Sequence, residues 1–157
     1  MASFGTLLLT AAFAFSIAPT GSVSAQETYA LLTADEIAEW ATATDDARGI
    51  NLTRSDGPTL KVNAPTGFAL ASPVSFDIEI VARDGVAPEL DSLRIEYGIG
   101  PIWTDVTNRI RQNARMVGSH FQATGAELPA GKHRLRLSIK DADGRLTSAD
   151  IQFTVSK

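Results

Sequence analysis

The sequence contains no cysteine. This absence excludes disulfide bonds, thiolate catalysis, metal sites built on cysteine and the lipid-modified cysteine that anchors bacterial lipoproteins. A folded domain of this chain must therefore be held together by packing and hydrogen bonds alone. Because small secreted eukaryotic domains usually carry disulfides, an exported chain without them is more typical of a bacterial periplasm or exterior.

Charge is missing from one end of the chain, since the first 25 residues contain no Asp, Glu, Lys or Arg. An apolar run from Leu7 to Ala18 has the length of a signal-peptide core and is too short to span a bilayer. The small residues that end at Ala25 are typical of a cleavage site. We therefore predict a signal peptide over residues 1–25, a mature chain starting at Gln26 and a periplasmic or extracellular location without stable membrane insertion after cleavage. The alternative is an uncleaved anchor or a buried apolar helix.

A basic surface is also missing, because 18 acidic residues outnumber 14 basic ones and the formal net charge is −4. Such a balance excludes the electrostatic footprint of a nucleic-acid-binding protein. About 130 residues remain after the predicted signal peptide, which is enough for one domain with one core. The sequence does not indicate an oligomeric state, and no cofactor is predicted.

The start of the mature chain predicts a short helix in a segment covering residues 26–48. Thr33 and Glu36 have the spacing of a capping box, and the helix is expected from Ala34 to near Ala43. Trp40 lies on its apolar face and is expected to dock the helix on the rest of the domain. An exposed ligand platform at Trp40 is the alternative.

From residue 49 to residue 157, apolar residues recur at every second position, which predicts strands with one dry and one wet face. The segments are Ile50–Leu52, Leu60–Val62, Val74–Ile80, Leu93–Tyr97, His133–Ile139 and Thr147–Val155. The stretch between them is weaker: we expect a loop over 98–101, a helical turn over 104–111 and a strand over 121–124. The pattern predicts a mainly β, antiparallel sandwich.

The last two strands are expected to form a hairpin through Asp141-Ala142-Asp143-Gly144-Arg145. A type I turn followed by Gly144 in the left-handed region would pair Asp141 with Arg145. The same register would place Arg136 opposite Asp150 on the wet face. An ion pair at that position would contribute roughly 0.2–1 kcal/mol.

Two longer patterns carry a resemblance: Gly57-Pro58-x-Leu60-x-Val62-x-x-Pro65-x-Gly67 before Pro73-Val74, and Leu128-Pro129-Ala130-Gly131-x-His133-x-Leu135-x-Leu137 before Asp141-x-x-Gly144. The first resembles the start, and the second the final hairpin, of bacterial immunoglobulin-like or fibronectin-III-like domains. The resemblance covers residues 57–157 and implies an immunoglobulin-like β-sandwich. It specifies a fold and leaves the function open.

The final hairpin is also similar to that of periplasmic copper-carrier sandwiches, in which the turn reads Asp-Gly-His. Arg145 stands at the histidine position here, and Gln26 stands where that family places an amino-terminal histidine. Because neither residue matches, no metal ligand is assigned, and a metal carrier is kept only as an alternative function.

The residues do not form a catalytic motif. The chain has two histidines, His120 and His133, and it lacks a nucleophile-elbow spacing. Asp141-x-Asp143-Gly144 contains only part of a calcium loop and is explained by the needs of a turn. We therefore predict a non-enzymatic module, either a protein-interaction or structural domain of the bacterial cell envelope.

The candidate binding surface consists of Tyr97, Trp103, Asp105, Arg109 and Phe121. Its aromatic members could form a platform on which sugars or peptides stack, or Trp103 could close one end of the core. A second feature is the basic stripe Lys132, Arg134, Arg136 and Lys140, either a solvated face or a site for an acidic glycan. An envelope protein and a glycan both remain as partners.

The predicted leader can be tested by expressing the full chain in a bacterial host. Cleavage next to the small residue Ala25 should release an exported protein that begins at Gln26, measured by intact mass. Ala25→Arg places a large charged side chain at the cleavage site and should block processing. An exported wild-type protein that keeps all 157 residues would contradict the prediction.

Overall fold

The computed structural model describes residues 27–42, 55–67 and 69–156. The predicted signal peptide, the predicted first residue Gln26 and the predicted extended segment Ile50–Leu52 lie outside these residues. In the described part, two helices and nine strands follow one another: β1 (Tyr29–Ala30), α1 (Ala34–Thr42), β2 (Thr59–Ala64), β3 (Val74–Val81), β4 (Pro88–Ile99), β5 (Ile102–Asp105), α2 (Thr107–Arg111), β6 (Ala114–Val117), β7 (His120–Glu127), β8 (Gly131–Asp141) and β9 (Leu146–Val155).

The strands form two sheets. One has the order β1-β7-β3-β2, with β6 on β7 as well, and the other has the order β5-β4-β8-β9. Every pair is antiparallel except β1 with β7, which is parallel. The predicted fold class, an immunoglobulin-like antiparallel β-sandwich with a short N-terminal helix, is confirmed.

The core lies between the two sheets and is built by the alternation seen in the sequence. In β3 the alternating apolar residues from Val74 to Ile80 are all buried, as are Leu135, Leu137 and Ile139 of β8. The largest fully buried side chains include Phe76, Ile78, Ile95, Leu135 and Ile139. Because no disulfide is present, this shared apolar layer supplies the main stabilisation of the domain.

The terminal hairpin has the predicted register, with Arg136 opposite Asp150 and Lys140 opposite Leu146. Gly144 adopts φ = 77°, and its N–H donates to the Asp141 carbonyl over 2.9 Å. The buried Asp141 carboxylate accepts from the Asp143 and Arg145 backbone N–H groups and from the Arg145 guanidinium. These contacts fix the turn, and the hairpin prediction is confirmed.

The first helix is also confirmed. The Thr33 hydroxyl accepts from the Glu36 N–H over 3.2 Å, and the Glu36 carboxylate accepts from the Thr33 N–H over 2.9 Å. Trp40 is half-buried and packs against the core, as the docking interpretation requires.

The middle of the chain differs from the prediction. Gly98 and Ile99 belong to β4, so the loop expected over 98–101 is reduced to a tight turn at Gly100-Pro101. Thr104 lies in β5, and the helical turn begins only at Thr107. The strand expected over 121–124 extends over all of β7, and β6 was not predicted. Short edge strands such as β5 and β6 carry too few residues for a clear alternating pattern.

One polar cluster is buried at the edge of the core. His133 Nε2 lies 2.8 Å from the Pro129 carbonyl oxygen, and Nδ1 lies 2.8 Å from the Tyr97 hydroxyl oxygen. Because a carbonyl can only accept, Nε2 carries the hydrogen and Nδ1 accepts from Tyr97. The ring also stacks on Phe153. Burial lowers the pKa of His133 from its ordinary value of 6.5, although the Pro129 carbonyl acts in the opposite direction.

This cluster predicts a loss of stability in mild acid. The lowered pKa means that the unfolded chain binds a proton at His133 more readily than the folded chain does, so stability falls as the pH drops below 6.5. His133→Phe should reduce the change in melting temperature between about pH 7.5 and about pH 5.5. Tyr97→Phe leaves the imidazole buried, so this variant should show the same change in melting temperature with pH as the wild type. Equal pH dependence in the wild type and His133→Phe would contradict this explanation.

Candidate functional site

The outer face of the four-stranded sheet brings three residues of the basic stripe together with Trp103 and Asp105. Alternation along β5, β4, β8 and β9 points one set of residues away from the core. We call this surface the Trp103 face, and it consists of Arg94, Glu96, Gly98, Trp103, Asp105, Lys132, Arg134, Arg136, Asp150 and Gln152.

Trp103 lies opposite Gly98 in the β4–β5 pair, and its indole is half-buried. A Cβ atom on Gly98 would lie 2.9 Å from Trp103 Cζ3 and 2.6 Å from Arg134 Nε, closer than real Cβ contacts. The glycine therefore allows the indole and the guanidinium to settle close to the sheet backbone. An aromatic side chain that covers a glycine on a neighbouring strand is a known way to stabilise a sheet edge.

Two arginines hold the indole in place. The guanidinium carbons of Arg134 and Arg136 lie 4.5 Å and 4.0 Å from the Trp103 ring centroid. At a surface, each such cation–π contact contributes roughly 0.5–1 kcal/mol. The ring is thus oriented by its neighbours before any ligand arrives.

The charges of the Trp103 face are unevenly paired. Arg136 Nε lies 2.7 Å from Asp150 Oδ1, and this hydrogen bond raises the pKa of Arg136. Arg94 lies 3.3 Å from both Glu96 and Asp105. Arg134 donates to the Gly100 carbonyl instead of to a carboxylate. Among the described residues, no acidic group lies within 4.0 Å of the charged atoms of Lys132 or Arg134.

A shallow groove of about 340 Å³ is lined in part by Gly98 and Arg134, the residues against which the indole packs. Its lining residues are Gly98, Lys132, His133, Arg134, Gln152, Phe153 and Thr154. Lys132 and Arg134, the two cations of the face without an acidic partner among the described residues, therefore both line the groove, and Arg134 also contacts the aromatic ring. This arrangement can bind a ligand that offers a ring, hydroxyl groups and negative charge.

The five residues of the candidate binding surface are not brought to one surface. Tyr97 and Phe121 are 3% and 5% exposed and belong to the core, on β4 and β7 of different sheets. Trp103 and Asp105 lie on the Trp103 face. The indole closes neither end of the core, because it lies on the outer side of the sheet.

Arg109 has a positioning role at another place in the fold. Its guanidinium donates to both carboxylate oxygens of Glu36, over 2.7 Å and 3.2 Å, and to the Leu31 carbonyl oxygen. The hydrogen bond from Arg109 is the largest cause that lowers the pKa of Glu36 to about 2. Arg109 thereby ties α2 to the start of α1.

The sequence analysis did not identify three features of the Trp103 face: Gly98, Gln152 and the packing of Trp103 against two arginines. The basic stripe was a usable signal, since Lys132, Arg134 and Arg136 do point outward together. The sequence predicts a loop at Gly98. The pairing of β4 with β5, which places Trp103 beside the basic stripe, therefore could not be predicted.

The described residues offer few groups suited to metal binding or catalysis. No group of three or more His, Asp or Glu side chains in them is arranged to hold a metal ion. His120 and His133 lie on β7 and β8 of different sheets, and His120 Nδ1 is 2.7 Å from Asp77 Oδ1. Neither α1 nor α2 has the length and hydropathy that crossing a membrane requires.

No family model matches the chain, and no curated protein matches it. Solved structures that resemble it include CopC from Methylosinus trichosporium OB3b, with 14% identity, a TM-score of 0.44 and coverage of 65% of this chain and 94% of that one. Murine CRIg has 15% identity, a TM-score of 0.38 and coverage of 64% and 98%.

An engineered protein is also similar, with 14% identity and a TM-score of 0.44 over 64% of this chain. The match spans only 20% of the length of that engineered protein. With TM-scores below 0.5, these likenesses carry no argument about function. The chain is a β-sandwich module by its own sheet pairing.

Gly98→Ala tests how the indole is seated. The new Cβ must displace Trp103 and Arg134, so the indole should become more exposed and its fluorescence emission should shift to longer wavelength in a Trp40→Phe background. The free energy of unfolding should change by no more than about 1 kcal/mol, because only surface cation–π contacts are weakened. Ser75→Ala, at an exposed site on the other sheet, is the control. An unshifted emission would show that Gly98 does not seat the ring.

Proposed function

We propose that this chain is an exported, non-enzymatic β-sandwich module of the cell envelope that binds a glycan through the Trp103 face. One observation carries the proposal: the Trp103 indole lies on the outer side of a sheet, held there by Gly98, Arg134 and Arg136. Most large apolar side chains of the described residues lie between the sheets, whereas the Trp103 ring lies outside that core and is partly accessible to a ligand.

The chemistry of the face suits a sugar chain. Aromatic rings provide apolar surfaces on which sugar rings stack, and nearby polar groups bond the hydroxyls. Gln152 is exposed opposite Arg134 on the neighbouring strand, so its amide can donate and accept next to the indole. Pre-orientation of the indole by two arginines lowers the entropic cost of binding.

Export and the lack of catalysis rest on separate observations. Export is supported by the charge-free, apolar leader pattern of residues 1–25. A non-enzymatic role is supported by His133, whose two ring nitrogens are both occupied by partners inside the fold.

The domain boundaries, 26–48 for the N-terminal segment and 49–157 for the sandwich, belong to the same proposal.

A protein partner is the second candidate, and a different surface favours it. Leu90, Met116 and Val117 are 41%, 40% and 48% exposed. Within the described residues, β6 pairs with β7 on one side and with no strand on the other. A free strand edge beside exposed apolar side chains can accept an added strand from another chain.

Affinity electrophoresis tests the glycan proposal with a panel of neutral and acidic envelope polysaccharides cast in the gel. The wild type should be retarded by at least one of them, and Trp103→Ala should migrate as in an empty gel. The melting temperature should fall by no more than several degrees, since the lost contacts contribute less than roughly 2 kcal/mol, and the variant should remain folded under the conditions of the gel. Val117→Ala, at an exposed apolar site on the other sheet, should still be retarded.

Two results would contradict the proposal. The first is that no polysaccharide in the panel retards the wild-type protein. The second is that Trp103→Ala and the wild type are retarded equally.

A further inference from the structure

The Trp103 face has two electrostatically different ends. At one end, the carboxylates Glu96, Asp105 and Asp150 are held by Arg94 and Arg136. Three acidic groups are therefore paired with two basic ones. This end offers a ligand little net positive charge.

The opposite end is cationic. On the neighbouring strand β9, Thr154 lies opposite Lys132 and Gln152 lies opposite Arg134. Both are neutral, whereas the residue opposite Arg136 is the acidic Asp150. No carboxylate of the described residues reaches either cation within 4.0 Å. The whole chain has a net charge of −4, so this local excess of positive charge does not follow from its composition.

The two cations are spaced and oriented for a linear ligand. Residues i and i+2 of a strand point the same way and lie about 7 Å apart, so Lys132 and Arg134 both face the groove side of the sheet. Arg134 uses Nη2 toward the Gly100 carbonyl oxygen and keeps other N–H donors in its fork. A guanidinium fork fits a carboxylate, and an ammonium adds a point charge.

We infer that the ligand of the Trp103 face is a carboxylate-bearing polysaccharide, with sugar rings on Trp103 and carboxylates at Lys132 and Arg134. This inference rests on the proposed function and adds the substrate class. The Trp103 ring favours a ligand with sugar rings, and Lys132 and Arg134 favour a ligand that carries carboxylates along its chain. Lys132 and Arg134 are the residues that determine specificity.

Polygalacturonate and its fully methyl-esterified form are suitable probes, because they share one backbone and differ in carboxylate charge. Isothermal titration of the purified protein should show tighter binding to polygalacturonate, and added salt should weaken only that binding. Lys132→Gln should weaken it about threefold to fivefold, as expected for one surface charge, and should leave binding to the ester unchanged.

Lys140→Gln is the matched control, since it removes the same charge from the same strand outside the Trp103 face and the groove, at a position opposite Glu89. Its binding to polygalacturonate should equal that of the wild type. Arg134→Lys keeps the charge and should retain the preference for the acidic polymer, even if altered stacking lowers affinity for both polymers.

Three outcomes would overturn the inference. Equal binding of the two polymers would exclude a carboxylate ligand, and the proposed function would survive if Trp103→Ala still abolished binding. Equal weakening by Lys132→Gln and Lys140→Gln would show attraction by overall charge alone. Binding to neither polymer would also overturn the inference of a carboxylate-bearing ligand. The proposed glycan-binding function would be contradicted only if no polysaccharide of the electrophoresis panel retarded the protein.

Discussion

The register of the β8–β9 hairpin fixes the inner and outer faces of the four-stranded sheet. Its turn is fixed by Gly144 in the left-handed region and by the buried Asp141 carboxylate, which accepts three hydrogen bonds from Asp143 and Arg145. Because side chains alternate along a strand, a slip of one residue would turn Arg134 and Arg136 into the core. One turn therefore decides which side chains build the sandwich and which face solvent.

The candidate site follows from that register and from one more pairing. β5 lies beside β4 with Trp103 opposite Gly98, so the indole can extend over the glycine toward the arginines of β8. The core supplies a rigid support for this arrangement but none of its chemistry. Binding residues on a packed sheet are held more accurately than residues on a loop, which is the physical basis for proposing a pre-oriented glycan surface here.

Features that depend on local sequence could be predicted, and features that depend on distant pairing could not. The capping box of Thr33 and Glu36 and the terminal hairpin are determined by residues close together in the chain. The position of Trp103 depends on the tight turn at Gly100-Pro101, where an expected loop concealed the end of β4. The ion pair of Arg109 with Glu36 joins residues 73 positions apart and leaves no local pattern.

Trp103 lies on an outer face that also carries Lys132 and Arg134, which no acidic group of the described residues approaches within 4.0 Å. In a Trp40→Phe variant, Trp103 is the only tryptophan, and its fluorescence can be quenched by iodide and by caesium. Lys132 and Arg134 should attract the anion and repel the cation, so the ratio of iodide to caesium quenching should exceed the ratio for free N-acetyltryptophanamide, and salt should reduce the excess. A ratio equal to that of the free amide, or an indole that neither ion reaches, would contradict this explanation.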